Sequence, residues 1–336
     1  LNEVFMTTYK EAGVDIDLAN KSIKEIKKNV RSTFNENTLS DLGAFGGCYL
    51  FPKDDYKEPV LVSSTDGVGT KLKIAFLSNR HNTIGQCLVN HCVNDILVLG
   101  AKPLFFLDYF AAGKLNSNTF KKVIEGMSSA CRENSCVLIA GETAEMPGFY
   151  SEGDYDLSGT IVGVVDKENM LSERKTKKGD ILIGLESSGL HTNGYSLARK
   201  VLLEKYSLDS HIDEIQGTLE DSLLSVHKSY LNIISPILNN SWLHGLSHVT
   251  GGGIIENTQR IISSDSQVIK VDWNSWRTPS IFRLIQKEGE VPEDDMRRSF
   301  NLGIGMILVV DRDSLADAKS YLKSKKEPYH IIGEIV

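Results

Sequence analysis

The sequence predicts an α/β (α+β) protein made of two mixed α/β domains. Short apolar runs alternate with amphipathic stretches of helical period along most of the chain. The length of 336 residues exceeds what one hydrophobic core usually organises. A polar run covers residues 166–180, and the alternation starts again after it. We therefore expect an N-terminal domain over residues 1–168 and a C-terminal domain over residues 173–336.

The N-terminal half is predicted to be rich in strands. Apolar residues three and four positions apart indicate helices, and short β-branched or aromatic runs indicate strands. The expected helices are 17–31, 82–99 and 117–134, and the expected strands are 60–62, 104–109, 136–140 and 159–165. The glycine-rich segment 40–51 is expected to be a mobile loop that leads into a strand.

The C-terminal half is predicted to be an α/β sandwich. Its expected strands are 181–185, 267–271 and 303–310, and its expected helices are 194–205, 221–238 and 253–263. The sequence shows no short-period repeat, so a solenoid or propeller is not expected.

The composition narrows the functional class. Lys and Arg number 37 against 44 Asp and Glu, so the net charge is −7, which argues against broad binding of nucleic acid or anionic membranes. Five cysteines without a C-x-x-C pair favour a reduced, cytoplasmic protein without a structural zinc site. No apolar run approaches the ~20 residues that span a bilayer. No secretory signal is visible at the start, and Met6 stays open as the native first residue.

The strongest motif follows the first predicted strand. The segment 63–73 carries Asp66, Gly67, Gly69, Thr70 and Lys71. Glycine lets backbone amides approach a ligand, aspartate can hold a hard cation, and lysine can neutralise phosphate oxygens. The Walker spacing is absent, so this would be a phosphate or metal loop of another type. The alternative is a turn in which Asp66 accepts backbone amides.

Further acidic residues follow other predicted elements. Asn94 and Asp95 end a largely apolar helix, and Asp108 interrupts an apolar strand, so these carboxylates need partners. Glu142 and Thr143 follow the strand 136–140. Acids supplied by separate elements are typical of a Mg²⁺–nucleotide site. The alternatives are a capping or salt-bridged aspartate and a solvated loop with ordinary glutamates.

Three loops of the second half are candidates for anion binding. The first contains Ser188, Gly189, His191 and Asn193 between a strand and a helix, where helix amides and the helix dipole favour an anion. His191 is suited to move a proton near neutral pH, and a helix cap is the competing explanation. The other two loops contain His248 with Gly251, Gly252 and Gly253, and Arg298 beside a glycine pair. Three successive glycines suggest a close approach of ligand, whereas Arg298 by itself is typical of a surface arginine.

Nucleophilic catalysis is not indicated. Cys48 lies beside two glycines, but no charged partner is evident and most cysteines are packing residues. No Ser–His–Asp or H-E-x-x-H arrangement is present.

These motifs together are very similar to those of the aminoimidazole ribonucleotide synthetase family, also called phosphoribosylformylglycinamidine cyclo-ligase. The similarity covers about residues 9–335, and the departures are minor: Cys48 in the glycine loop, the stretch near 205–222 and a short C-terminus. The segments that carry it are 9–16, 65–72, 141–148, 188–196 and 250–253.

The resemblance implies a homodimer in which the first domains build a shared β-barrel. It implies that formylglycinamidine ribonucleotide, ATP and Mg²⁺ give aminoimidazole ribonucleotide, ADP and phosphate. In the family's route the formamide oxygen is phosphorylated and the amidine nitrogen then closes the imidazole. Such a reaction needs positioning, charge neutralisation and exclusion of water. A monovalent cation such as K⁺ is left open as a further cofactor.

On this resemblance we expect the first-half motifs to bind Mg²⁺–ATP and the second-half loops to bind the ribonucleotide. The expected metal ligands are Asp66, Asp95 and Glu142, with Lys71 on the phosphates and Gly67, Gly69, Thr70, Asn94 and Thr143 around the nucleotide. The expected substrate residues are Ser188, Gly189, His191, Asn193, His248, Gly251–Gly253 and Arg298, and the expected catalytic residues are His191 and Lys71.

Three rival interpretations remain. Selenophosphate synthetase, a member of the same superfamily, would have a reactive cysteine followed closely by a lysine, which Cys48-Tyr49-Leu50 lacks. Thiamine-monophosphate kinase is the second rival. A non-catalytic nucleotide-binding module is the third, and such a module would tolerate loss of the acids that this chain keeps.

Overall fold

The computed structural model describes residue 10 and residues 12–173 and 175–336. It contains two large sheets, one on each side of the polar run 166–180, as the two-domain prediction requires. The domain limits at 168 and 173 stay a prediction. Met6 and most of the motif 9–16 lie outside the described residues or at their edge.

The N-terminal sheet has the strand order β1-β4-β2-β3. Its strands are β1 (Pro59–Gly67), β2 (Lys102–Ala112), β3 (Val137–Glu145) and β4 (Tyr155–Asp166). β4 is antiparallel to both neighbours, and β2 and β3 are parallel because a helix crosses between them. The helices of this half are α1 (Ile16–Arg31), α2 (Lys71–Ser78), α3 (Asn82–Leu97) and α4 (Ser117–Glu133).

The helix α3 is buried on nearly every side. It contacts the sheet, α4 and a segment of the C-terminal half, so its amphipathic pattern is weak although its position is central. By contrast, α1 and α4 are strongly amphipathic, and a side chain caps the start of each. The Asp15 side chain accepts the Leu18 amide, and the Asn116 side chain accepts the Thr119 amide. α3 is therefore the element through which the two halves meet.

The C-terminal sheet has the strand order β8-β10-β5-β11-β9, with every pair antiparallel. Its strands are β5 (Ile181–Glu186), β8 (Leu243–His248), β9 (Ile269–Val271), β10 (Ile304–Val310) and β11 (Tyr329–Ile335), and β6 (His211–Ile212) pairs separately with β7 (Gly217–Thr218). The helices are α5 (Tyr195–Leu202), α6 (Leu219–Leu223), α7 (Leu231–Ile234), α8 (Gly253–Gln259), α9 (Ser280–Gly289), α10 (Glu293–Ser299) and α11 (Leu315–Ser324). All seven residues of β10 are buried, because Leu308 packs on one face of the sheet and Ile307 on the other.

Several predicted elements need correction. Residues 63–67 and 141–145 continue β1 and β3, so Asp66 and Glu142 lie inside strands rather than in loops after them. The predicted helix 221–238 is broken into the short helices α6 and α7, with an irregular segment over 224–230. Pattern analysis also missed α2, β8 and the elements after residue 311, which are short or weakly periodic.

Within the described part of the chain, the N-terminal sheet leaves one face uncovered. Leu61 and Tyr109 lie on that face and are 63% and 38% exposed. Such an apolar face on a strand-rich sheet is typical of an interface. Among the described residues, no helix is long and apolar enough to cross a membrane.

Candidate active site between the two domains

The best-supported site lies where β1 and α3 of the first domain meet three segments of the second. Helical spacing puts His91, Asn94 and Asp95 on adjoining turns of α3. The loop after β5 supplies Thr192, the segment between α6 and α7 supplies His227, and the end of β8 supplies His248. The chain folds this way because α3 packs against both halves.

Asp66 and Asp95 flank the ring of His91. The Nε2 atom of His91 is 2.8 Å from Asp66 Oδ2 and 3.7 Å from Asp95 Oδ2. Asp66 Oδ1 also accepts the Gly67 amide at 2.7 Å. The two carboxylates therefore share one imidazole as their common neighbour.

Asp95 also connects the first domain to β8. Its Oδ1 atom is 2.8 Å from His248 Nδ1, and its Oδ2 accepts the Ser64 hydroxyl at 3.0 Å. A carboxylate on one imidazole nitrogen fixes the orientation and the tautomer of that ring. The other nitrogen of His248, Nε2, is thereby left to act as an acceptor.

A chain of polar contacts joins these two ends through the second domain. His91 Nδ1 is 2.7 Å from the Thr192 hydroxyl, which is 3.5 Å from His227 Nδ1. His227 Nε2 is 3.1 Å from His248 Nε2. Asp66, His91, Thr192, His227, His248 and Asp95 thus form one continuous polar network across the domain boundary.

The electrostatics of the network keep both acids ionised. Burial alone would raise the pKa of Asp66 and of Asp95, but the hydrogen bonds and charges of His91 and His248 lower both values. Burial opposes protonation of His91, yet its bond to Asp66 and the nearby charges of Asp95 and Asp66 raise its pKa overall. Burial lowers the pKa of His248 despite Asp95, and His227 is lowered well below its ordinary value, also by burial. The site therefore offers two ionised carboxylates, one imidazole with a raised pKa, His91, and two with lowered pKa values, His227 and His248.

His191 is buried beside this network and is not exposed to solvent. It is 1% exposed, it adopts a left-handed backbone conformation at φ 59°, and its Nε2 accepts the Ser188 amide at 3.2 Å. Burial and neighbouring charges lower its pKa well below the ordinary value, so a role as a charged proton donor is not supported. Its ring stacks on His227, with centroids 3.9 Å apart and planes at 21°. Nearly parallel rings cannot both direct in-plane lone pairs at one ion, so the close group His191, His227 and His248 is a poor metal site.

The expected phosphate contact of Lys71 is not supported. Its ammonium is fully buried and donates to the carbonyls of His191 and Ser225, at 2.9 and 2.6 Å, and to Cys87 Sγ at 3.1 Å. Burial opposes its charge, but Cys87 and Tyr195 outweigh burial and raise its pKa. Lys71 therefore joins α2 to two segments of the second domain.

Asn94 is likewise structural in this geometry. It is fully buried, it donates to the Lys228 carbonyl at 2.8 Å, and it accepts the Tyr230 amide at 3.0 Å. A nucleotide contact would need one of these bonds to break. Thr70 faces the second domain through a 3.0 Å contact with the Ser196 hydroxyl.

Glu142 is not brought to the two aspartates. Asp66, Gly159, Asp108 and Gly141 form one row across the sheet, so Glu142, the next residue, points to the opposite face and lies beyond two intervening strands. Among the described residues, the three expected metal ligands do not form one group. A single ion held by Asp66, Asp95 and Glu142 of one chain is therefore not supported.

Glu142 and Thr143 instead line a cavity of about 230 Å³ on the sheet edge. The segment 41–46 covers it, apolar side chains of α1 and α4 form its walls, and Asp108 lies in it. Burial raises the pKa of Asp108 to about 7, and a side-chain carbon on Gly141 would lie 2.2 Å from its carboxyl oxygen. Asp108 is thus a buried acid beside a small apolar cavity.

The glycine loop of the second domain has a structural explanation. At Gly253, φ is +68° and a side-chain carbon would lie 1.8 Å from the Arg297 carbonyl oxygen. Gly252 is also left-handed, at +96°, whereas Gly251 has an ordinary φ, and a side-chain carbon on it would lie 3.4 Å from Asn193 Oδ1. Gly252 and Gly253 are therefore explained by the backbone conformation, and a ligand is not needed to explain them.

The remaining predicted substrate residues surround this loop at the surface. Arg298 pairs with Glu256 at 3.0 Å and is exposed. The Ser188 hydroxyl donates to the Val226 carbonyl, and Gly189 has a positive φ of 135°. The structure thus brings the loops 188–194 and 250–253 together, and Gly69 meets the first of them near the Thr192 carbonyl.

Sequence analysis missed three residues of the network. His91 could have been found from its spacing of four residues before Asp95 in a predicted helix. Thr192 was considered only as a helix cap. His227 lies in an irregular segment without periodicity, so no sequence signal pointed to it.

Comparison with known proteins defines the class first. The chain has the fold of the two-domain kinases and maturation proteins: thiamine-monophosphate kinase from Stenotrophomonas maltophilia K279a superposes with a TM-score of 0.71 at 16% identity, covering 93% of each chain. Hydrogenase maturation protein HypE, solved in complex with ATP, superposes at 0.66 with 17% identity, covering 94% of this chain and 86% of that one. At these identities the likeness concerns the fold alone.

Sequence similarity then gives the family. The family models "AIR synthase related protein, N-terminal domain" and "C-terminal domain" match residues 37–165 and 177–336. Phosphoribosylformylglycinamidine cyclo-ligase of Thermoanaerobacter sp. (strain X514) is 50% identical over 98% of this chain and 97% of its own length. The protein of the same name from Alkaliphilus metalliredigens (strain QYMF) is 45% identical over 98% and 95%. The chain belongs to the phosphoribosylformylglycinamidine cyclo-ligase family.

Proposed function

We propose that this chain closes the imidazole ring of 5-aminoimidazole ribonucleotide in purine biosynthesis, in the cytoplasm. Formylglycinamidine ribonucleotide and ATP would give that product with ADP and phosphate, and one C–N bond forms. The similarity of 45–50% over nearly the whole chain to proteins of that name supports the reaction. The structural observation that carries it is the pair of ionised carboxylates, Asp66 and Asp95, held by histidines at the junction of two domains.

The reaction requires that the protein neutralise the charge of the phosphates and position the two substrates. Transfer of the terminal phosphoryl group of ATP to the formamide oxygen makes that oxygen a leaving group, and attack of the amidine nitrogen then expels phosphate. Ionised Asp66 and Asp95 fit a hard divalent cation such as Mg²⁺, which would supply neutralisation of phosphate charge when bound. His248 is oriented by Asp95 and would accept at Nε2 the proton that the amidine nitrogen loses, once Nε2 gives up its 3.1 Å contact with His227 Nε2.

We place the nucleotide base in the cavity beneath segment 41–46. Its volume of about 230 Å³ and apolar walls suit a planar base, and Thr143 and Asp108, which share a face of the sheet, offer polar groups at its edge. Glu142 would then contact the nucleotide rather than the ion held by Asp66 and Asp95. K⁺ is retained as a candidate cofactor, because the family resemblance leaves it open.

We also propose a homodimer formed through the uncovered face of the N-terminal sheet. Leu61 and Tyr109 on that face expose apolar surface that a second copy would cover. Sedimentation of the wild-type protein at the monomer mass at micromolar concentration would contradict this proposal.

The test is phosphate release from ATP with and without formylglycinamidine ribonucleotide. We expect release only with the ribonucleotide, and at least tenfold loss of turnover with altered Mg²⁺ dependence in Asp66→Asn. Glu142→Gln is the matched control: it should alter the KM for ATP and leave the Mg²⁺ dependence of turnover unchanged. Formation of ADP that needs thiamine monophosphate and releases no free phosphate would favour the kinase instead, and absence of ATP consumption with every substrate would favour a non-catalytic module.

A further inference from the structure

A cavity between the domains lies beside β8. This cavity has a volume of about 480 Å³, and its walls come from α3, the interdomain segment near Leu171, β8, and α8 with the turn after it. It is larger than the cavity proposed for the nucleotide base and does not share its residues. A small organic substrate would therefore fit without displacing the nucleotide.

One end of this cavity is the polar network described above. Asp95 and His248 both line it, and Ser64, which donates to Asp95, lines it too. A molecule in the cavity would therefore have one end next to the carboxylate and the imidazole that we place at the reacting atoms.

The opposite end is defined by the turn that follows α8. A side-chain carbon on Gly245 would lie 3.1 Å from Ile261 Cδ1, which places this turn beside the start of β8. Gly245 and His248 are three residues apart, so the two ends are separated by about 10 Å along the strand. Arg260, the residue before Ile261, lines the same cavity.

Arg260 is suited to bind an anion. Among the described residues that line the cavity, it is the only lysine or arginine, and its guanidinium makes no hydrogen bond or ion pair within the described part of the chain. Hydroxyl groups of Ser172 and Ser247 line the same cavity. A guanidinium with nearby hydroxyls matches the oxygens of a phosphate monoester.

We propose that Arg260 binds the 5′-phosphate of the ribonucleotide substrate, with the ribose along β8 and the formamide end at Asp95 and His248. The proposal rests on the proposed function and adds the orientation of the substrate. It makes Arg260 the residue that distinguishes a ribonucleotide from the corresponding nucleoside, and it assigns no such role to Arg298, which is paired with Glu256.

The experiment compares Arg260→Met with wild type on two substrates, formylglycinamidine ribonucleotide and its dephosphorylated nucleoside. We expect the KM for the ribonucleotide to rise about 10- to 100-fold, the range for loss of a charge-assisted hydrogen bond, with kcat and the KM for ATP little changed. The kcat/KM for the nucleoside should be the same in both proteins, and Arg260→Lys should restore part of the ribonucleotide affinity. Arg283→Met, which removes an exposed arginine bonded only to Ser280 in the described structure, should leave both substrates unaffected.

Two outcomes would overturn the proposal. Equal losses on ribonucleotide and nucleoside would show that Arg260 supports the fold rather than the phosphate, and an unchanged KM for the ribonucleotide would show no contact. Calorimetric binding of the ribonucleotide without ATP keeps this test separate from the reaction. If wild type binds the ribonucleotide and Arg260→Met does not, the phosphate site stands even where no phosphate is released from ATP. Absence of turnover with every substrate would refute only the proposed function.

Discussion

Replacement of Lys71 by methionine separates a structural lysine from a phosphate ligand. Methionine keeps an unbranched apolar side chain of similar length and removes only the ammonium group. In the structure this group is the donor to the buried carbonyls of His191 and Ser225 and to Cys87 Sγ. The two carbonyls belong to segments of the second domain, so the change acts at the domain junction.

The magnitude follows from the groups left without a donor. Each buried carbonyl that loses its partner costs about 1–3 kcal/mol, so two of them cost about 2–6 kcal/mol. Removal of a fully buried ammonium relieves part of its desolvation penalty, and Cys87 Sγ keeps the His227 amide at 3.3 Å. We therefore expect Lys71→Met to lower the free energy of unfolding by about 3 kcal/mol.

The assay is urea unfolding followed by circular dichroism, with steady-state kinetics on the same preparations. Lys73→Met is the matched control, because Lys73 lies two residues away and makes a partly exposed ion pair with Asp154, which is worth about 0–1 kcal/mol. The reasoning is refuted if Lys71→Met unfolds at the wild-type urea concentration while its KM for ATP rises more than about tenfold. That result would return Lys71 to the phosphates.

Three further predictions concern other parts of the chain. Burial raises the pKa of Asp108 from 3.8 to about 7, so the native state retains a proton that the unfolded state loses, and stability falls as the pH rises from 3.8 to 7. In urea unfolding, Asp108→Asn should flatten this fall and be more stable than wild type above pH 7, by at most about 4 kcal/mol. An unchanged slope of stability against pH would contradict this prediction. Gly253→Ala should cost more than about 2 kcal/mol of stability, because its new carbon would lie 1.8 Å from the Arg297 carbonyl oxygen at a φ of +68°. Gly251→Ala is the control and should cost less than half as much. Equal costs for the two variants would show that the loop adjusts freely. Leu61→Glu should shift the sedimentation coefficient from that of a dimer to that of a monomer, because it places a charge on the uncovered face of the N-terminal sheet. A variant that still sediments as a dimer would show that the interface lies elsewhere.

Local pattern was sufficient for many elements that carry a strong period or a long apolar run, but the amphipathic helix α9 was not predicted. The helices predicted at 17–31 and 117–134 agree with α1 and α4 within a residue, because each has one apolar face and a capping side chain. It failed where burial is set by distant partners. The helix predicted at 221–238 breaks because residues 225–230 bond to α3 and Lys71 instead of to each other.

The candidate site was likewise predictable from the sequence only in part. Asp66 was predicted from its glycine- and lysine-containing motif, Asp95 as an acid that an apolar helix makes costly to leave unpaired, and His248 from the glycine loop that follows it. Their mutual contacts, and the inclusion of His227, depend on a junction between residues more than a hundred positions apart. Lys71 shows the limit of a motif, since its surroundings in sequence suggest phosphate binding, whereas its ammonium donates to two backbone carbonyls in the structure.

The sequence by itself determined the two-domain α/β class, the family and the chemical types available to the site, because these depend on local periodicity and on long motifs. Only the tertiary structure decided which of those groups share a space. It separated Glu142 from Asp66 by the alternation of side chains along β3, and it brought Arg260 and His248 to the walls of one cavity. The physical reason is that hydrogen bonds and charges act over a few ångströms, and distances of that size between remote residues are set by packing rather than by spacing in the chain.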